Sequence, residues 1–119
     1  MPYNRQLGQH GEDLACRYLE KKGYRIRERN WRSRAGEIDI VAEKNGVFIF
    51  VEVKMRSSSG FGHPEEAVTA TKRQHLIRAT QWYCEGKRIA SLCRIDVIAI
   101  TLLPEGGEEI IHFEDITGP

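Results

Sequence analysis

Cysteine is scarce in this sequence, and the three present, Cys16, Cys84 and Cys93, form no C-x-x-C pair and have no histidine nearby at zinc-ligand spacing. That excludes a zinc module or a disulfide scaffold readable from spacing. The three read as reduced packing residues, because free cysteine is among the most buried residue types. Long apolar runs are missing as well, and nothing approaches the about 20 residues of a membrane-spanning helix. The opening MPYNRQLGQHGEDLA has no apolar segment of the secretory kind. A cytoplasmic chain with no membrane partner is therefore expected. Repeats, low-complexity tracts and linkers are absent too. With 119 residues, 40% of them hydrophobic, residues 1–119 form one domain with one core, and two would not fit.

A strong net charge is also lacking, but the formal +1 conceals an asymmetry. Residues 17–34 hold eight lysines and arginines against Glu20 and Glu28, whereas the segment from Leu102 onward has five acids and no lysine or arginine. A local basic strip binds polyanions even where the whole chain is nearly neutral. Arg25, Arg27, Arg29, Arg32 and Arg34 in this strip are candidate nucleic-acid contacts, with Tyr24 and Trp31 as aromatics on which an unpaired base can stack. An equally good reading is a solvated edge strand blunted by charge.

Along the chain, LGQHGEDLACRYLEKKG places Leu7, Leu14, Ala15, Tyr18 and Leu19 at helical spacing and stops at Gly23. YRIRERNW alternates as an exposed edge strand. GEIDIVAEKNGVFIFVEVKMR, residues 36–56, is a hairpin turning at Asn45-Gly46. SSSGFGH, residues 57–63, has loop composition, and Pro64 with Glu65 and Glu66 predicts the start of a second helix running to about Glu85. RIDVIAITL is a further apolar strand and EEIIHFEDI a last edge strand. The order αβββαββ predicts an α/β fold, a mixed sheet flanked by two helices.

The hairpin poses the chemical question, because its apolar strands carry Glu37, Asp39, Glu52 and Lys54. With Asn45 and Gly46 as the loop, Lys44 faces Val47, Asp39 faces Glu52 and Glu37 faces Lys54. One face then carries Ile38, Ile40 and Ala42 against Ile49, Val51 and Val53; the other is apolar at Val41 and Phe50 and charged only at the far end. Two ionised carboxylates about 5 Å apart repel by roughly 3 kcal/mol at an effective dielectric constant near 20. A divalent cation offsets this best, since hard ions take carboxylate, carbonyl and water oxygens. An ion-pair cluster at a strand end is the competing reading.

Each helix also breaks its apolar pattern with a charge. Glu12 shares a stripe with Ala15 and Leu19, and Lys72 falls on the stripe of Val68, Leu76, Ala79 and Tyr83. Lys72 can also snorkel past the core edge, and Glu12 can lie at the stripe's margin. Acids and lysines gathered at one end of a small sheet describe a metal-dependent phosphoryl-transfer site.

Asp39 followed by Glu52-Val53-Lys54, with a preceding helix carrying Glu12, resembles the PD-(D/E)xK nuclease superfamily, which includes restriction endonucleases and archaeal Holliday junction resolvases. GEDLACRYLEKKGY, GEIDIVA, VFIFVEVK and PEEAVTATKRQ resemble more closely the small YraN-like bacterial family of predicted endonucleases, over nearly the whole chain. One departure is Ile38, which stands where the superfamily usually has proline. The resemblance implies a restriction endonuclease-like core and hydrolysis of phosphodiester bonds in DNA, including branched or irregular DNA. It implies Mg²⁺ or Mn²⁺ held by Asp39, Glu52 and the Val53 carbonyl, with Lys54 polarising the attacking water and Glu12 completing the acid cluster. Lys72 and Gln74 would contact phosphate, and a homodimer would suit a two-fold substrate. A nucleic-acid-binding module that keeps the fold without turnover is the alternative. His63 and His75 read as structural or incidental.

Overall fold

A computed structural model describes residues 5–57 and 69–117, with side chains from Gly8 onward. Its elements are α1 (Arg5–Lys21), β1 (Arg25–Ser33), β2 (Gly36–Lys44), β3 (Val47–Ser57), α2 (Ala70–Lys87), β4 (Leu92–Leu102) and β5 (Glu108–Phe113). This is the αβββαββ order expected from the sequence. The five strands form one sheet in the order β1-β2-β3-β4-β5, with β3 and β4 parallel and every other pair antiparallel. The mixture follows from connection length. A two-residue turn returns the chain antiparallel, whereas the long connection through α2 brings β4 back parallel to β3.

The local signals explain the element ends. Asn45 and Gly46 have φ of 52° and 79°, the paired positive values of a tight hairpin turn. Gly23, with φ 91°, ends α1, and the Tyr24 N–H bonds back to the Leu19 carbonyl. Helix α2 begins later than its composition predicts: Thr69 is extended and its hydroxyl caps the Lys72 N–H at 3.1 Å. The anticipated start at Pro64, the stripe residue Val68, His63 and most of the SSSGFGH stretch lie outside the described residues.

Both faces of the sheet are core, as a sheet flanked by two helices requires. Ala15, Cys16 and Leu19 of α1 pack with Ile40, Ala42, Ile49, Val51, Ile98 and Ile100. Leu76, Ala79 and Tyr83 of α2 pack with Val41, Phe48, Phe50 and Ile95 on the other side. Burial on both faces explains why β3 and β4 read as nearly continuous apolar runs. Ile38, expected beside Ile40, joins the α2 side instead. Strict alternation requires an intact ladder, and pairing of β2 with β3 stops at Ile40 and Val51.

Helix α1 lies close over β3 at Gly11, against the flexible Met55 side chain. A Cβ there would come within 2.7 Å of the Met55 sulfur and 3.4 Å of its Cβ.

Candidate functional site

The hairpin register from the turn is as the sequence predicts for Lys44 with Val47 through Ile40 with Val51, and there it ends. Asp39 supplies the reason. Its Oδ2 accepts the Val53 N–H at 2.8 Å, so a side chain takes a bond that the ladder would otherwise make. The N–H and C=O of one strand residue point toward the same neighbour. The Val53 carbonyl therefore faces the β2 side, beyond the end of the ladder.

Asp39 and Glu52 are accordingly neighbours across parting strands rather than members of a continuous ladder. The expected pairing of Glu37 with Lys54 does not occur. Glu37 instead pairs in register with Arg32 of β1, with 3.5 Å between the charged groups. The parting of β2 and β3 leaves Glu37 to the edge strand on its other side.

Glu52 is buried, and both expected lysines reach it: Lys72 Nζ lies 3.2 Å and Lys54 Nζ 3.9 Å from Oε1. Burial, reinforced by the charge of Asp39, pushes its carboxyl up to about 7 against the pull of Lys72. Asp39 is also raised by burial, opposed by the Val53 N–H bond and by Lys72. Glu12, from α1 on the opposite side of the sheet, is buried and raised by burial and then by the charge of Asp39. Its Oε1 is buried without a hydrogen-bond partner, 3.7 Å from Arg29 Nη2.

Five residues singled out by sequence, Glu12, Asp39, Glu52, Lys54 and Lys72, thus converge from four elements where two central strands part. Gln74 is exposed on α2. The basic strip is largely committed to local acids. Arg27 pairs with Glu43 at 3.3 Å, Arg29 with Asp13 at 2.7 Å and Arg32 with Glu37, while Arg25 is exposed. The aromatics expected to stack are engaged elsewhere: Tyr24 is buried, and Trp31 packs edge-on against Tyr83 at 5.2 Å. Trp82, 48% exposed, is instead the indole presented outward.

The donor chemistry suits a hard cation. Two carboxylates, a strand carbonyl beyond its ladder and a buried Glu12 oxygen that makes no hydrogen bond and has Arg29 at 3.7 Å are oxygen donors of the kind Mg²⁺ takes, usually one or two carboxylates with waters. Among the described residues, no three His, Cys, Asp or Glu side chains stand together closely enough to hold an ion by themselves. Asp39 and Glu52 therefore fit as direct donors, and Glu12 as an acid at one remove.

A second polar centre was missed. Asp96, fully buried in β4, accepts from Arg94 at 2.9 Å on each oxygen, from the Asp115 N–H at 2.9 Å, and lies 2.7 Å from His112 Nε2. Burial alone would raise this carboxyl, but His112, Arg94 and the Asp115 N–H together hold it below the ordinary range. The sequence signal was the one used for Asp39, an acid inside an apolar strand. Arg94 stands two residues away on β4 itself, whereas His112 and Asp115, 16 and 19 residues away, are brought to it only by the return of the chain through β5.

The cysteines also differ from expectation. Cys16 is buried, but Cys93 is exposed, and its sulfur lies 3.5 Å from that of half-buried Cys84.

Fold and site together define a small mixed α/β protein with a buried carboxylate, Glu52, beside the half-buried Asp39 and two lysines at the mouth of its central hairpin. The chain belongs to the uncharacterised protein family UPF0102, whose family model matches residues 11–100. A UPF0102 protein of Rhodococcus opacus is 45% identical over 116 residues, covering 97% of this chain and 98% of its own. One from Syntrophomonas wolfei is 47% identical over 110 residues, covering 92% and 95%. One from Clostridium perfringens is 40% identical over 112 residues, covering 93% and 92%. No helix among the described residues is long and apolar enough to cross a membrane.

Proposed function

We propose that the chain is a metal-dependent endonuclease of the PD-(D/E)xK superfamily that hydrolyses phosphodiester bonds of DNA. The observation that carries this reading is Glu52. It is a buried carboxylate pressed against Asp39, raised to about 7, and faced by Lys54 and Lys72 from two elements. Setting a buried acid beside a half-buried one, with two partly exposed lysines drawn to them, is costly as mere structure. It is useful where charge must be stabilised on a phosphate.

Asp39 and Glu52 are the residues that would hold Mg²⁺ or Mn²⁺, with the Val53 carbonyl and waters completing the shell. The ion would stabilise negative charge on the phosphate oxygens and ease deprotonation of water. Lys54 would orient the attacking water for in-line attack, and Lys72 would turn from Glu52 toward a phosphate oxygen. Arg29, bonded to Asp13, would steady α1 so that Glu12 stays over Asp39. A homodimer belongs to this reading where the substrate has two-fold symmetry.

The second reading, a nucleic-acid-binding module without turnover, draws on the absence of three converging metal-ligand side chains among the described residues. One experiment separates the two. The protein and its Glu52→Ala variant are incubated with linear, flapped and four-way DNA, and with RNA, in Mn²⁺ and in chelator. The nuclease reading expects cleavage of DNA in Mn²⁺ by the unaltered protein alone. Cleavage surviving in the variant identifies a contaminant, and salt-dependent binding without cleavage selects the second reading.

A further inference from the structure

The groove on the α2 side of the sheet has no part in the carboxylate centre except at one residue. Its volume is about 540 Å³, between α2 and the turn joining β1 to β2. Lys72, His75, Arg78 and Trp82 all line it from α2. Their spacing of three, three and four residues forms one ridge about 15 Å long. Arg34 of the turn and Glu37 at the start of β2 face them.

The charges in this groove are unevenly satisfied. Glu37, its acid, is already turned to Arg32. Among the described residues, neither Arg34 nor Arg78 has an acidic partner, and Lys72 is shared with Glu52 at 3.2 Å. At the far end of the ridge stands Trp82, 48% exposed, where a helix surface would ordinarily carry a polar residue.

We propose that this groove takes an unpaired, single-stranded segment of nucleic acid and leads it to the carboxylate centre. The proposal rests on the nuclease-fold reading above and names its substrate class. Arg34 and Arg78 hold backbone phosphates, and a base stacks on the Trp82 indole. Lys72, which lines the groove and touches Glu52, marks where the strand reaches the acids. A single strand needs a positively charged track combined with an exposed aromatic face, and any base satisfies that face. A groove of this volume accommodates a nucleotide or two, whereas a duplex would lie across its rim and leave Trp82 unstacked.

The test is binding in chelator, where turnover plays no part. A fluorescein-labelled oligothymidine and a labelled hairpin duplex are titrated against the unaltered protein, Trp82→Ala, Trp82→Phe and Arg78→Ala. Loss of one base–aromatic stack weakens binding by about tenfold. Trp82→Ala should therefore bind the single strand about tenfold more weakly with duplex binding unchanged, and Trp82→Phe should recover most of the loss. Unlabelled oligothymidine should quench tryptophan emission in the unaltered protein and not in Trp82→Phe, where only Trp31 remains, packed on Tyr83. Arg78→Ala should flatten the salt dependence. Equal loss for single strand and duplex, or undiminished binding by Trp82→Ala, overturns the proposal. Failure to cleave any substrate while these binding differences hold would instead count against the nuclease reading alone.

Discussion

The Lys72 ammonium lies 3.2 Å from Oε1 of Glu52, tying the first turns of α2 to a carboxylate buried in the central strand β3. Lys72 is a counter-charge to Glu52 in the free protein. Replacing it with methionine keeps the stem that covers the sheet and removes the charge. Lys72→Met should cost about 1–2 kcal/mol, less than for a fully buried pair because the lysine is 37% exposed. Urea denaturation measures the loss, and saturating Mn²⁺ should restore much of it if the ion replaces the missing charge.

Glu52 makes stability depend on pH in an unusual direction. Its carboxyl is raised from 4.5 to about 7 on folding, so the folded chain binds the proton more tightly than the unfolded chain. Its favourable contribution is complete below pH 4.5 and is lost as pH rises through about 7. In chelator, the melting temperature of the unaltered protein should fall over this interval relative to Glu52→Gln. Parallel curves for the two proteins would show that Glu52 does not titrate in this range.

Asp39 has two duties that substitution can separate. As acceptor for the Val53 N–H it ends the β2–β3 ladder, and as a carboxylate it is the proposed metal donor. Asp39→Asn keeps an acceptor oxygen and should change stability by less than about 1 kcal/mol, while abolishing any rise in melting temperature with Mg²⁺ or Mn²⁺. Asp39→Ala strands the Val53 N–H as well and should cost about 1–3 kcal/mol. A full metal response in Asp39→Asn would remove Asp39 from the ion.

Asp96 should behave in the opposite manner. Asp96→Ala leaves Arg94 and His112 facing an empty site in β4 and should destabilise by about 3–5 kcal/mol in urea. Provided the variant is assayed where it remains folded, its response to Mn²⁺ should match that of the unaltered protein.

The Cys84 and Cys93 sulfurs, 3.5 Å apart, need little movement to join. Burial and then the bond to Cys93 push the Cys84 thiol up to about 12, so air oxidation at neutral pH should be slow. Diamide, which takes up the two thiol hydrogens as the S–S bond forms, should link them, leaving Cys16 as the one free thiol on mass mapping. A mixed Cys16 product would contradict this arrangement, because Cys16 is buried under α1.

Much of the centre was legible before folding because local rules carry it. Asn45-Gly46 sets the register, Gly23 ends α1, and helical spacing puts Glu12 and Lys72 on packing faces. Each depends on residues a few positions apart. The errors arose where one long-range contact replaced a local rule. Glu37 went to Arg32 because β1, rather than β3, continues beside it. Tyr24 and Trp31 were drawn into packing by His112 and Tyr83, which no local pattern associates with them.

By itself the sequence determined the element order, the hairpin and the identity of the acids and lysines that meet. Turn chemistry, alternation and helical period act over a few residues and are written in the chain. Only the tertiary structure decided that Asp39 would cap Val53 rather than continue a ladder, that Ile38 would join the α2 side, and that Asp96 would gather His112 and the Asp115 N–H. Those outcomes depend on which distant surfaces exclude water together, and burial is a property of the assembled sheet and helices.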